Sequence, residues 1–230
     1  MWGDAHRQDN PLHSYFLNEL EIKSTQEEKD LGVTFDPKLT FDVHIQQCIN
    51  KANRLIGIIR RAFDYLDRDS FLLIYKSLVR PHLEYPNVIW SPHLKRQSLA
   101  VERVQRRATK IILDVRKLPY CERLQYFKLP SLKYRRFRGD LIQVFKILNG
   151  IDDLEVGDFF TISTSNTRYA PTNLYIKTAA TNIKYHCFSR RSARYWNGLS
   201  KRTKNANSLN DFKKLLDADN KKVINKFDID

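Results

Sequence analysis

The pattern of apolar and polar positions divides the chain into a short extended start and a long helical body. Leu20 and Ile22, then Leu31, Val33 and Phe35, alternate with polar residues, as one face of half-buried strands does. The polar run Ser24-Thr25-Gln26-Glu27-Glu28 between them predicts a hairpin connection, and Asp36-Pro37 ends the second strand. From Thr40 the apolar steps change to three and four. Ile45, Cys48, Ile49, Ala52, Leu55, Ile56, Ile59 and Phe63 then share one face of a long helix. Thr40 is its expected N-cap, and Asp42 suits the positive end of the helix dipole. Lys51, Arg54 and Arg61 fall on the opposite face.

A second helix is expected from residue 69, with Phe71, Leu72, Tyr75, Leu78 and Val79 inward and Pro81 ending or kinking it. Residues 81–90, apolar but broken by prolines, read as a buried, irregular turn. A third helix over 97–113 buries Val101, Val104, Ala108, Ile111 and Ile112. A fourth runs from a Ser131 cap to the Asn149-Gly150 stop and buries Phe137, Leu141, Val144, Phe145 and Leu148. Beyond it the pattern gives short strands over 173–177 and 183–188, helices over 188–197 and 208–216 with Ser208 as a cap, and a frayed tail. The expected fold class is mainly α. A strand-bearing start (1–39) precedes a helical region with basic faces (40–150) and a small mixed α/β C-terminal part (151–230).

Composition supports a folded chain: with 42% of 230 residues hydrophobic there is material for one good-sized core or two small ones. Charge changes the picture more. Residues 1–44 hold 4 basic and 9 acidic side chains, 45–146 hold 22 and 8, and 147–230 hold 14 and 9. The middle segment alone therefore equals the net charge of +14, and so localised a positive field favours a polyanionic partner, nucleic acid before an anionic membrane. Cys48, Cys121 and Cys187 lie too far apart for a disulfide framework, which suggests a reducing compartment. The N-terminus lacks a signal-peptide pattern, and no apolar run approaches the roughly 20 residues of a membrane span. The expectation is an intracellular chain, nuclear or cytoplasmic, not secreted and without a membrane partner.

Catalytic chemistry is largely missing. There is no Gly-rich phosphate loop and no Cys or His spacing that suits a metal. The carboxylate doublet Asp152-Asp153 follows a helix-stop glycine and reads as a solvated turn. No catalytic residue, metal ligand or cofactor is expected. The positive signal is a basic stripe: on a helix, Arg96, Arg103, Arg106, Arg107 and Lys110 gather within about a third of the circumference. Glu102 is the only acid between Arg96 and Lys110. Arg116 and Lys117 follow, and Lys133, Arg135, Arg136 and Arg138 cluster at the start of the next helix. Arginine suits phosphate because its planar, permanently charged fork donates two hydrogen bonds. Trp90 and Trp196 could stack on bases, but in a compact chain they read as core.

Blocks across residues 12–217 resemble, in order, the region after the catalytic palm of jockey- and CR1-like non-LTR retrotransposon reverse transcriptases. They are Lys29-Asp30-Leu31-Gly32-Val33 with Leu39-Thr40-Phe41-Asp42-Val43-His44-Ile45; Leu73-Ile74-Tyr75-Lys76-Ser77-Leu78-Val79-Arg80-Pro81 with Leu83-Glu84-Tyr85 and Trp90; and Val101-Glu102-Arg103-Val104-Gln105-Arg106-Arg107-Ala108-Thr109-Lys110. Leu132-Lys133-Tyr134-Arg135-Arg136, Phe145-Lys146-Ile147-Leu148-Asn149-Gly150, Phe188-Ser189-Arg190-Arg191, Tyr195-Trp196-Asn197-Gly198-Leu199 and Phe212-Lys213-Lys214-Leu215 complete the set. Ser200 stands where that family usually carries proline.

The resemblance implies a primer-grip-like hairpin at Leu31, Gly32 and Val33, a thumb-like helical bundle from Thr40, and a C-terminal extension that helps bind RNA or target DNA. The family's catalytic aspartate pair would lie upstream of Met1. The implied protein is thus a non-catalytic, truncated portion of an RNA-directed DNA polymerase that holds RNA, DNA or hybrid duplex without reading sequence. The residues implied are Lys51, Arg54, Arg61, Arg96, Arg103, Arg106, Arg107, Lys110, Arg135, Arg136 and Arg138. The alternative is a helical scaffold that binds protein, for instance the palm and fingers, through its hairpin edge. An exposed apolar patch around Leu20, Ile22, Leu31 and Val33 would mark it.

Overall fold

The computed structural model describes residues 14–163 and 173–219, and the expected frayed tail lies outside them. The fold is mainly α, with short antiparallel strand pairs. The extended start is two tight hairpins rather than one. β1 (Tyr15–Leu17) pairs with β2 (Leu20–Ile22), and β3 (Glu28–Asp30) pairs with β4 (Val33–Phe35). The expected pairing of Leu20–Ile22 with the strand at 31–35 is not formed. Each hairpin closes on a two-residue turn with both φ positive, Asn18-Glu19 (47° and 67°) and Leu31-Gly32 (44° and 86°). That geometry matches strand twist and leaves 23–27 as a linker between the hairpins.

α1 (Asp42–Ala62) follows with most of the expected apolar face buried (Ile45, Cys48, Ile49, Ala52, Ile56 and Ile59), Leu55 half-buried, and Phe63 exposed just past its end. Thr40 is not its cap. Phe41 holds that position at φ 56°, without a side-chain bond. Asp36 organises the entry instead, accepting from the backbone N–H of Lys38, Thr40 and Phe41 at 3.0, 3.1 and 2.7 Å and from the Thr40 hydroxyl. α2 (Arg68–Ile74), capped by Asp67, continues into a π turn over Tyr75–Val79. The wider turn shifts the inward face, so Tyr75 and Val79 are buried while Leu78, expected inside, is exposed. The segment expected to be irregular is two helical turns, α3 (Pro81–Glu84) and α4 (Asn87–Trp90). Proline at the first position of α3 needs no N–H there.

α5 (Lys95–Ala108) is shorter than expected; turns carry the chain through Ile111 and Ile112 to α6 (Tyr120–Phe127), which the sequence pattern did not predict. α7 (Leu132–Leu148) agrees closely, with Ser131 accepting from the Tyr134 N–H and Gly150 at φ 61° after its end. Then come α8 (Val156–Phe159), β5 (Thr161–Ile162) paired with β6 (Leu174–Tyr175), α9 (Asn182–His186), α10 (Phe188–Asn197), α11 (Lys201–Lys204) and α12 (Leu209–Asp219). The strand expected over 183–188 is α9 and the start of α10. Ser200 caps α11 by accepting from Thr203 N–H at 3.2 Å.

Two apolar cores form. One runs from Val33 to Leu132 and centres on α1, α2, α5 and α6, with Trp90 only 1% exposed; the other runs from Tyr134 to Leu216. They divide at the first turn of α7, so most of that helix packs with the C-terminal part. Phe145 and Phe212 stack at 4.4 Å in the second core. Asp140, 2% exposed on α7, takes the fork of Arg191 on α10 at 2.8 and 3.0 Å. The same guanidinium donates to the Val88 carbonyl of α4, so one ion pair ties three helices.

Candidate nucleic-acid interface

Val101, Val104, Gln105 and Ala108 turn one side of α5 into the first core. Arg103, Arg106 and Arg107 consequently face solvent, Lys110 is exposed in the turn that follows α5 instead of on the longer helix expected, and among the described residues none of the four forms an ion pair. Arg106 lies over the Tyr120 ring at 4.9 Å. Arg116 and Lys117 are exposed just beyond. Glu102, the one acid of this stretch, does not neutralise the face because it points inward. Its carboxylate accepts from the Tyr120 hydroxyl at 2.6 Å and from the Leu132 N–H at 3.0 Å, holding the start of α7. Burial raises its pKa, opposed by the Tyr120 hydrogen bond and by Arg136. Gln105 extends the network, donating to the Tyr120 oxygen at 3.1 Å and to the Pro130 carbonyl at 3.0 Å. Tyr120 and Gln105 were missed by sequence reasoning; the apolar period passes over both, and α6 is only two turns long.

The other expected binding residues divide. Lys51, Arg54 and Arg61 are exposed on α1, opposite its buried face. Arg96 is exposed but sits 3.2 Å from Asp42, in a solvated pair of small energetic weight. The three arginines of α7 do not extend the open face. Arg135 forks onto Glu84 of α3, Arg138 forks onto Asp217 of α12 at 2.8 and 3.1 Å, and Arg136 is buried at 5% exposure. Both sides of α7 pack on neighbouring helices, so cations there meet carboxylates across the packed surfaces instead of solvent. The cluster is legible in the sequence, but its carboxylate partners, some fifty and eighty residues away, are not.

Leu31, Gly32 and Val33 occupy the β3–β4 turn, with Leu31 82% exposed and Val33 buried. The Tyr85 hydroxyl donates to the Leu31 carbonyl at 3.1 Å, and its ring would lie 3.5 Å from a Cβ on Gly32. Of the apolar patch expected at Leu20, Ile22, Leu31 and Val33, only Val33 is buried, and Tyr15, Phe16 and Leu17 of the first hairpin are likewise more than half exposed.

One pair looks catalytic and is structural. The Thr34 N–H donates to His44 Nδ1 at 3.2 Å, so the ring proton is on Nε2, 3.4 Å from Cys48 Sγ. A histidine donating to the thiol cannot deprotonate it. Burial, then Lys51 and Lys29, lower the His44 pKa, and burial raises that of Cys48. Asp152, in the turn after α7, accepts from Lys146 and Gln143 of that helix. Among the described residues no group of three or more His, Cys, Asp or Glu could hold a metal ion, and no helix is long and apolar enough to cross a membrane. The chain matches no protein-family model, no curated protein and no solved structure.

Proposed function

We propose that the chain binds nucleic acid through its phosphates, without reading sequence, as the thumb-like and C-terminal portion of a non-LTR retrotransposon reverse transcriptase. The observation that carries the binding is the open cationic face of α5, where Arg103, Arg106 and Arg107, with Lys110 in the turn just beyond, stand with no carboxylate partner among the described residues and Glu102 is turned inward. Lys51, Arg54 and Arg61 add a second exposed cationic surface on α1. Phosphate contacts of this kind fix position and gain affinity by releasing counterions. The family assignment rests on the ordered sequence blocks. It gives the chain no catalytic role, an RNA-bearing partner and a nuclear or cytoplasmic site of action; primer extension by the purified chain would overturn the non-catalytic part.

The test is a titration against a labelled RNA–DNA primer-template at several salt concentrations, beside an Arg103/Arg106/Arg107/Lys110→Glu variant. The wild type should show a steep fall of log affinity with log salt. The variant should flatten it by about 0.9 for each duplex phosphate it no longer neutralises. Equal, weak binding by both would leave α5 a solvated face.

A second reading draws on the β1–β2 hairpin. Five large apolar side chains exposed on so small an element favour a protein partner, the family's palm being the one in keeping with the resemblance. Co-expression with such a palm should raise solubility, and a Phe16→Ser/Leu20→Ser/Ile22→Ser variant should be soluble without it. An unchanged sedimentation profile in both cases would remove this reading.

A further inference from the structure

A cavity of about 460 Å³ opens where the α4–α5 connection, the first turns of α7 and the α9–α10 corner meet. Its size suits a ligand of mononucleotide dimensions. Its wall is cationic: beside the Asp140–Arg191 pair, which satisfies its own charges, it carries Lys95, Lys133, Arg136 and Arg194. Arg136 is the informative member. Its Nη2 donates to Ser98 Oγ at 2.8 Å, while its Nη1, buried, has no acceptor among the described residues. A buried guanidinium with an idle N–H is a standing demand for an acceptor, because burial removes the water that would otherwise supply one. The other buried side-chain atom without a partner among the described residues is also a guanidinium nitrogen, Arg190 Nε, whose group lies 5.8 Å from the ring of Tyr185, a residue of the same wall.

The wall also offers ring faces. His93 and His186 stack at 4.7 Å, and Arg194 packs on Tyr185 with its guanidinium carbon 4.0 Å from the ring centre while donating to the Tyr185 carbonyl at 2.7 Å. His93 and Tyr185 are partly open to solvent. Cations grouped beside exposed flat rings suit a phosphate attached to a planar base.

We propose that this cavity binds the phosphate monoester of a nucleotide, either a free mononucleotide or a phosphorylated strand end, with Arg136 and Arg194 on the phosphate and the His93, His186 and Tyr185 rings beside the base. The cavity takes Lys95, Ser98 and Leu99 from the start of α5 but none of Arg103, Arg106, Arg107 and Lys110, so it does not depend on that cationic group. Calorimetric titration with AMP, inorganic phosphate, adenosine, and a short oligonucleotide with and without a 5′-phosphate tests it. AMP should bind, inorganic phosphate should bind more weakly, and adenosine should not bind detectably. Preference for the 5′-phosphorylated oligonucleotide over its hydroxyl form would identify a strand end as the source; AMP binding without that preference would identify the free nucleotide.

Arg194→Gln and Arg136→Gln should each weaken AMP by about tenfold or more, as loss of a charge-assisted bond does. Because Arg136→Gln could disturb packing, Lys95→Gln and Arg194→Gln, both at the rim, carry the comparison if circular dichroism shows that variant unfolded. The fourfold α5 variant should keep its AMP affinity even where it loses duplex binding, so the two readings fail separately. Histidine side-chain NMR shifts at His93 and His186 should move on adding AMP. Adenosine binding as tightly as AMP, full AMP affinity in Arg194→Gln, or His93 and His186 signals that stay in place at saturating AMP would each overturn the proposal.

Discussion

Asp36 illustrates how much one side chain can organise. Burial alone would raise its pKa, yet its hydrogen bonds from Thr40, Phe41 and Lys38 leave it below the usual aspartate range. Asp36→Ala should lower stability by about 1–2 kcal/mol in urea denaturation, with Asp36→Asn losing less because its amide oxygen still accepts. Gly32→Ala should be destabilised by about 1–2 kcal/mol. Its Cβ would meet Tyr85 at an ordinary 3.5 Å, so the loss would come from the backbone at φ 86°. His44 sets a pH dependence. Its pKa in the fold lies below 6.5, so the unfolded chain takes up the proton first, and stability should fall as pH drops through 6.5. Asp36 acts in the same direction only at much lower pH. Comparing urea midpoints at neutral and mildly acid pH, His44→Asn should flatten the difference; a dependence left intact would assign it to His186, whose pKa burial also lowers. At this scale the sequence revealed residue types but not partners. Glu102 read as a charge on the stripe, because its bonds run to Leu132 and Tyr120, elements whose approach no local pattern encodes.

The elements were legible in proportion to their length. α1 and α7 hold an apolar face over five turns or so, and the period declared them. α6, α9 and the short turns α3 and α4 give too few repeats for a period to emerge. The hairpins failed differently. A polar run drew the connection to 24–28, whereas the operative signals were Asn18 and Gly32, residue types that tolerate positive φ. Of the candidate interface, the α5 stripe was readable from helical spacing, while the pairing of Arg135 and Arg138 needed the tertiary fold. Glu102 provides the test at this level, since it joins α5 to the start of α7. Glu102→Ala should remove about 3 kcal/mol, and Glu102→Gln less, because the amide oxygen can still accept from Leu132.

The whole molecule is two cores sharing one helix. Glu102 reaches α7 from the first core, Arg191 binds Asp140 from the α10 side, and the same arginine holds α4. These ties cross the division between the cores, so calorimetry should show one unfolding transition. Arg191→Met, which leaves Asp140 buried without its fork, should split it or lower its midpoint sharply. Charge is also distributed at this level. The basic middle segment meets acids at Arg135 and Arg138 and leaves its open excess on α1 and α5.

The three thiols stand at graded depths: Cys121 exposed, Cys187 intermediate and Cys48 on the buried face of α1 against His44. That gradation makes the chain its own clock. A thiol-reactive dye should consume Cys121 at the free-thiol rate, whereas Cys48 can react only in the moments when α1 lifts. If the Cys48 rate tracks global unfolding across denaturant, α1 never leaves alone; if it runs ahead, the helix that carries Lys51, Arg54 and Arg61 breathes while the rest of the protein holds.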